Sequence, residues 1–209
     1  MSDMRKRIKN ILIKLNLLEA AHVLQRTPHI VQFHFRLIKE CIPGYLYNYI
    51  FTHIPCHALR LLALRKILGI KVGKDTFIHL GCVFIGNNIS IGDNTVIGRR
   101  CCIGGGEIHI GSSVAITAEV YIFAASHAKD SPDFEGTYAP VIIDDHAWLG
   151  VRSIVLLGVH IGKGAVLGAG SVATKSIPPF TVYAGSPAKK IGLRSSDLHY
   201  KFKYFPYFN

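Results

Sequence analysis

The sequence predicts an all-β solenoid, a parallel β-helix, with a helical segment before it. Three observations predict it. The first is a six-residue beat of an aliphatic residue followed by glycine, at Ile85-Gly86, Ile91-Gly92, Ile97-Gly98 and Ile103-Gly104. The second is its return. After a one-residue slip it resumes at Ile110-Gly111, Ile116 and Ile122, and after a gap at Ile143, Leu149-Gly150, Val155, Ile161-Gly162 and Leu167-Gly168. The third is a small or β-branched residue four places after most of these aliphatics, such as Thr76, Cys82, Ile89, Thr95, Cys101, Ser126, Ala147 and Ser171. Glu107 is the one misfit. So short a period gives one strand and one tight corner per hexad, the aliphatic inward and the glycine relieving crowding at the corner. A single coil cannot bury its apolar side alone, so the coils stack into one ladder of Ile, Leu and Val.

Residues 1–71 hold twelve Lys and Arg against three Asp and Glu, while residues 72–209 hold twelve against ten. The formal charge of +11 is therefore concentrated at the N-terminal end. There, Ile8, Ile11, Leu12, Leu15, Leu18 and Val23 fall on one side of a helix predicted over 4–25, beside Arg5, Lys6, Arg7, Lys9 and Lys14. Helical patterns follow over 29–41 and, with a break near Pro55, over 45–69. No nucleic-acid recognition motif accompanies the charge. A basic amphipathic segment of this kind either lies on an anionic membrane face or caps the open end of the solenoid. No apolar run approaches about eighteen residues, and no cleavable leader reads at the N terminus. A cytoplasmic protein is expected, at most peripheral to the inner membrane face.

The solenoid is expected over 72–175, with an excursion at 128–142 that contains two prolines and a glycine and follows a histidine directly. A long departure from a regular scaffold usually serves function. Residues 176–209 contain Pro178-Pro179, a turn-rich stretch at 184–189, and a tail with Tyr200, Phe202, Tyr204, Phe205, Tyr207 and Phe208, too apolar to float free. The five cysteines have no metal-ligand spacing. Cys82 and Cys101 occupy the small-residue position and read as buried free thiols.

The pattern aliphatic-Gly-x-x-small-x resembles the hexapeptide-repeat family, whose triangular coils take three hexads each. That resemblance implies a left-handed β-helix and, for the fourteen copies here, a little under five coils. Four patches sharpen it: Ala125-Ser126-His127, Trp148-Leu149-Gly150, the run from Leu167 to Lys175, and the run from Ala184 to Lys189. Together they are similar to the acetyl-CoA-dependent O-acetyltransferases of that family, in the branch of galactoside, maltose, Nod-factor and polysaccharide acetyltransferases. The resemblance covers about residues 72–194.

The resemblance implies the chemistry. His127 is the expected general base, since imidazole titrates near neutrality and can take the acceptor's hydroxyl proton. The Val151 backbone N–H would face the developing oxyanion. Trp148 would wall the site, and Gly150, Val151, Gly168, Ala169, Thr174 and Lys175 would line acetyl-CoA, with Lys189, Lys190 and Arg194 meeting its phosphates. On the acceptor side Arg99 stands where galactoside-type relatives have asparagine, which favours an acidic or phosphorylated glycan over a neutral galactoside. A homotrimer with three clefts is implied, with direct transfer to a surface polysaccharide or lipid-linked glycan precursor. No metal is expected. γ-Class carbonic anhydrases share the fold, but His79, His109, His127, His146 and His160 include no His-x4-His pair following the coil. The rival readings are an antibiotic (xenobiotic) acetyltransferase, a carrier-protein-dependent acyltransferase, and a non-catalytic trimeric scaffold.

Overall fold

The computed structural model describes residues 38 and 41–202. The chain divides into two compact units, Met1–Pro43 and Gly44–Asn209. Of the first unit, 38 and 41–43 are described, all helical. The helix expected over 4–25, most of that over 29–41, and the tail aromatics from Tyr204 onward lie outside the described residues. In the second unit, 44–49 are helical, a 3-10 turn follows at Phe51–His53, and an α-helix runs over His57–Lys66, so the chain breaks near Pro55 as expected. Among the described residues, no helix is long and apolar enough to cross a membrane.

The rest is a parallel β-solenoid with three faces. Stacked strands Lys71–Val72, Ile89–Ile91, Ile108–Ile110, Val141–Ile143 and His160–Ile161 make the first face. Phe77–Ile78, Val96–Ile97, Ala115–Ile116, Trp148–Leu149, Val166–Leu167 and Thr181–Ala184 make the second, which Lys189–Leu193 closes as an antiparallel strand. The third comprises Val83–Ile85, Cys102–Gly104, Tyr121–Phe123, Ile154–Val155 and Val172–Ala173. The stack thus has five complete coils and part of a sixth, more than the count of hexads implied. The coil pattern continues past residue 175, with Ile177 bridged to Ile161 and Thr181–Ala184 paired on Val166–Leu167.

Two expectations need correction. Ile85 points outward and is 46% exposed, while Phe84 fills the core at 1%. The reason is the register: the first three coils pair residues nineteen apart, as in Phe77 with Val96 and Val96 with Ala115. One residue beyond three hexads is absorbed at the corner after the third face, which also moves Ile108 into the buried place where Glu107 was a misfit. Ser126 is the second correction. It lies exposed in a hairpin, outside the coil, and the buried small residue at that corner is Ala124.

The corners use two kinds of residue. Glycines after the inward aliphatic permit close stacking: a Cβ at Gly98 would lie 2.5 Å from the carbonyl carbon of Thr117 in the next coil. Two residues later the backbone turns left-handed at Asn94, Arg100, Ser113, Glu119, His146 and Arg152, among others. The buried Thr, Cys, Ala or Ser that follows donates to, or packs under, the next coil; Cys82 Sγ lies 3.1 Å from the Gly98 carbonyl oxygen and Cys101 Sγ 3.0 Å from that of Thr117.

The helical segment before the solenoid caps its first coil. Asn48 donates to the Phe84 carbonyl and accepts from the Phe84 N–H, at 2.9 and 3.0 Å. Thr52 Oγ1 donates to the Cys82 carbonyl at 2.8 Å. Arg60, 1% exposed, donates to the carbonyls of Ile54 and Ile78, and Arg65 to those of Val72 and Gly73. Strand-edge groups that would otherwise invite another sheet are thereby paired. Two of the segment's cations, Arg60 and Arg65, are therefore committed to the cap.

Candidate active site

His127 ends the strand Ala125–His127, which leaves the solenoid after the third-face strand Tyr121–Phe123 and pairs antiparallel with Gly136–Tyr138. The excursion is thus a β-hairpin that begins at Ala125, and by Val141 the chain is back in the stack. Its tip is tied by the Ala128 N–H to the Glu135 carbonyl at 2.8 Å and the Phe134 N–H to the Ser131 carbonyl at 3.1 Å. The imidazole is exposed. Its Nδ1 lies 2.9 Å from the Phe134 carbonyl oxygen. A carbonyl only accepts, so Nδ1 carries the proton, and Nε2 bears the lone pair with no hydrogen-bond partner among the described residues. Phe134 was not singled out in the sequence; its ring also lies flat on the imidazole, centroids 4.3 Å apart and planes 4° from parallel.

The residues expected on the acetyl-CoA side gather elsewhere. Trp148, 46% exposed, stands on the second face between Ala115 and Val166. The pairing of Ile97, Ile116, Leu149 and Leu167 puts Arg99, Ala118, Val151 and Ala169 in one corner column, each two residues further on. Gly150 and Gly168 lie in that column, where a side chain on Gly150 would strike the Ala169 backbone. The Val151 carbonyl accepts from the Gly170 N–H at 2.8 Å, and among the described residues the Val151 N–H has no partner, which leaves it available to a ligand. Lys189 and Lys190 are exposed on the closing antiparallel strand beside Ala184 and Tyr183.

Three predicted residues stand apart from that cluster. Thr174 and Lys175 follow the third-face strand Val172–Ala173, on the corner that carries the His127 hairpin two coils earlier. Arg194 is engaged within the chain. Its guanidinium donates to the His146 and Gly164 carbonyls at 3.0 and 3.3 Å and to Tyr200 Oη at 3.2 Å, and Tyr200 in turn donates to the His146 carbonyl. It staples the C-terminal segment to a corner, and of the aromatic tail Tyr200 and Phe202 are seen to pack, their ring centroids 5.1 Å apart. Among the described residues, no group of three or more His, Cys, Asp or Glu side chains is placed to hold a metal ion.

A family model described as the hexapeptide repeat of succinyl-transferase matches residues 88–124 and 140–175, two stretches with the hairpin between them. The galactoside O-acetyltransferase of Escherichia coli is 30% identical over 80% of this chain and 86% of its own. The chain belongs to the hexapeptide-repeat acetyltransferase family. A maltose O-acetyltransferase of Clostridium difficile has a similar structure, with a TM-score of 0.67 and 31% identity over 77% of this chain and 89% of that one. A hexapeptide-repeat acetyltransferase of Vibrio cholerae, solved with acetyl-coenzyme A, has a TM-score of 0.63 and 28% identity over 75% and 86%. The chain spans about half the length of curated acetyltransferases of Schizosaccharomyces pombe and Staphylococcus aureus that it also matches.

Proposed function

We propose that this hexapeptide-repeat protein transfers acetyl from acetyl-CoA to a hydroxyl of a carbohydrate acceptor, with His127 as the base. The observation that carries the reading is the His127 geometry: Nδ1–H is held by a carbonyl on an exposed imidazole, which leaves Nε2 as the proton acceptor. As Nε2 takes the hydroxyl proton, the acceptor oxygen attacks the thioester carbonyl. The Val151 N–H stabilises the oxyanion. Collapse expels the CoA thiolate, which recovers the proton from the imidazolium, so no acyl-enzyme forms. Acetyl-CoA fits the exposed edge of Ala169 and Gly170, where a Cβ on Gly170 would meet nothing within 4 Å.

The topology argues for an oligomer. Within one chain His127 leaves the corner after the third face, while Trp148 stands on the second face and Val151 and Ala169 at the corner after it. A complete site on this reading joins two copies, as a cyclic trimer would do three times. Arg99, exposed in the Val151 column, offers an acidic or phosphorylated glycan a cation. Exposed Tyr45, Tyr49, Leu59 and Leu62, together with the twelve Lys and Arg against three Asp and Glu of residues 1–71, support a lipid-linked acceptor at the cytoplasmic membrane face.

The test is CoA release from acetyl-CoA with a panel of neutral, acidic and phosphorylated sugars, for wild type and H127A in parallel. Acceptor-dependent release, lost by about 100-fold or more in H127A, is expected. Release with antibiotics alone would favour the xenobiotic reading. No release with any acceptor, together with no acetyl-CoA binding, would leave a scaffold.

A further inference from the structure

Phe134 touches His127 twice, and no other described side chain is placed to hold that imidazole. Its backbone has φ of +47°, a left-handed conformation costly for a bulky residue. That conformation points its own carbonyl back across the hairpin mouth, where His127 pairs with Gly136, and onto Nδ1 at 2.9 Å. The same residue lays its ring flat against the imidazole, 4.3 Å away, although the ring is otherwise 60% exposed. An exposed aromatic in a strained loop gains little from burial, so its placement calls for another cause.

We infer that Phe134 is the positioning residue of His127, fixing its tautomer through the backbone carbonyl and its plane through the ring. The inference rests on His127 acting as base. Before proton transfer, the carbonyl keeps the proton on Nδ1 and the stacked ring stops rotation that would turn Nε2 away. After Nε2 has taken the acceptor's proton, the imidazolium lies over the face of a π system and its Nδ1–H bond becomes charge-assisted. Both contacts are stronger to the cation than to neutral imidazole, so they favour the state toward which the reaction moves. No proton passes to Phe134; its role is to hold the base.

The carbonyl and the ring can be separated by substitution. F134G keeps the left-handed backbone, which glycine adopts freely, and removes only the ring. F134P fixes φ near −65° and takes away the N–H that bonds the Ser131 carbonyl, so the carbonyl leaves Nδ1. F134Y keeps both contacts. Each full-length variant would be assayed for kcat and for KM toward acetyl-CoA, and its His127 tautomer read by NMR on histidine-labelled protein, with H127A assigning the resonance. F134Y should stay within about twofold of wild type. F134G should lose about tenfold in kcat with KM unchanged and the Nδ1–H tautomer retained. F134P should lose about 100-fold or more in kcat and shift His127 toward the Nε2–H tautomer. Wild-type kcat in both F134G and F134P, or an unchanged tautomer in F134P, would overturn the inference. So would equal losses in F134Y and F134G that track a lowered melting temperature. An H127A variant with wild-type transfer would instead bring down the base itself, and the NMR arm would still judge the contact.

Discussion

His57 accepts a hydrogen bond from the Ile78 N–H through Nε2 at 3.2 Å and stacks on Phe77 with centroids 4.1 Å apart, so the cap requires its neutral form. Burial, then the charge of Arg60 and the neighbouring His79 and Arg65, lowers its pKa to about 4 from an ordinary 6.5. Above pH 6.5 the folded and unfolded chains are both neutral here, and the stability is fully present. As the pH falls toward about 4, the unfolded chain binds the proton first, and stability is lost through that window. Burial moves His79 and His146 in the same direction. The melting temperature should therefore be flat near neutrality and fall from about pH 6.5 to about 4, and less steeply in H57Q, whose amide oxygen accepts the same N–H without titrating. Identical pH slopes for H57Q and wild type would remove His57 from the effect. Arg60 ties the cap to the same coil edge through the Ile54 carbonyl on the cap and the Ile78 carbonyl on the coil, and R60A, which removes both bonds, should cost about 2–4 kcal/mol in urea unfolding.

At the scale of the coil, the two kinds of corner position respond differently to a methyl group. Gly98 has no unusual φ, yet its Cβ would fall 2.5 Å from the Thr117 backbone, which no rotamer change can relieve. Gly170 has φ of +65° but open space around it. G98A should destabilise by about 1–3 kcal/mol through overpacking, and G170A by about 1 kcal/mol through backbone strain. A larger loss in G170A, measured by denaturant midpoint, would reverse the assignment of close stacking to the glycine after each aliphatic. This division also marks what the sequence could reveal. The aliphatic-glycine beat was legible because inward packing and coil-to-coil contact both recur at a fixed interval. Ile85 was misread because Phe84 and Ile85 are both apolar, and only the stack decides which of two adjacent strand residues faces in. The cap left no periodic trace, since Asn48, Thr52, His57, Arg60 and Arg65 each meet a different edge group. His127 was legible as the candidate base through its place before the excursion and its company of motifs. Phe134 was not, because a loop residue's backbone angle has no pattern in composition.

At the scale of the whole molecule, the placement of the two proposed half-sites on different corners makes a quantitative demand on assembly. If His127 of one copy serves the Val151 and Ala169 corner of the next, then two variants dead for different reasons should repair each other. A169W blocks an exposed position on the thioester side, where the larger side chain meets solvent and not the core, so the fold should be retained. H127A removes the base. Neither alone should transfer acetyl, and both should elute at three times the 23.0 kDa chain mass in light-scattering chromatography. Unfolded together in equal amounts and refolded, they should form mixed trimers in which a shared site is intact whenever one copy supplies His127 and its neighbour a free Ala169. Random mixing gives about a quarter of wild-type activity, because each of the two contributing copies is the right one about half the time. Sites confined to single chains would give none at all, since every chain then carries one defect. A return of activity near a quarter would thus place the acetyl donor and the base on neighbouring copies, and its absence from well-formed mixed trimers would refute the shared cleft.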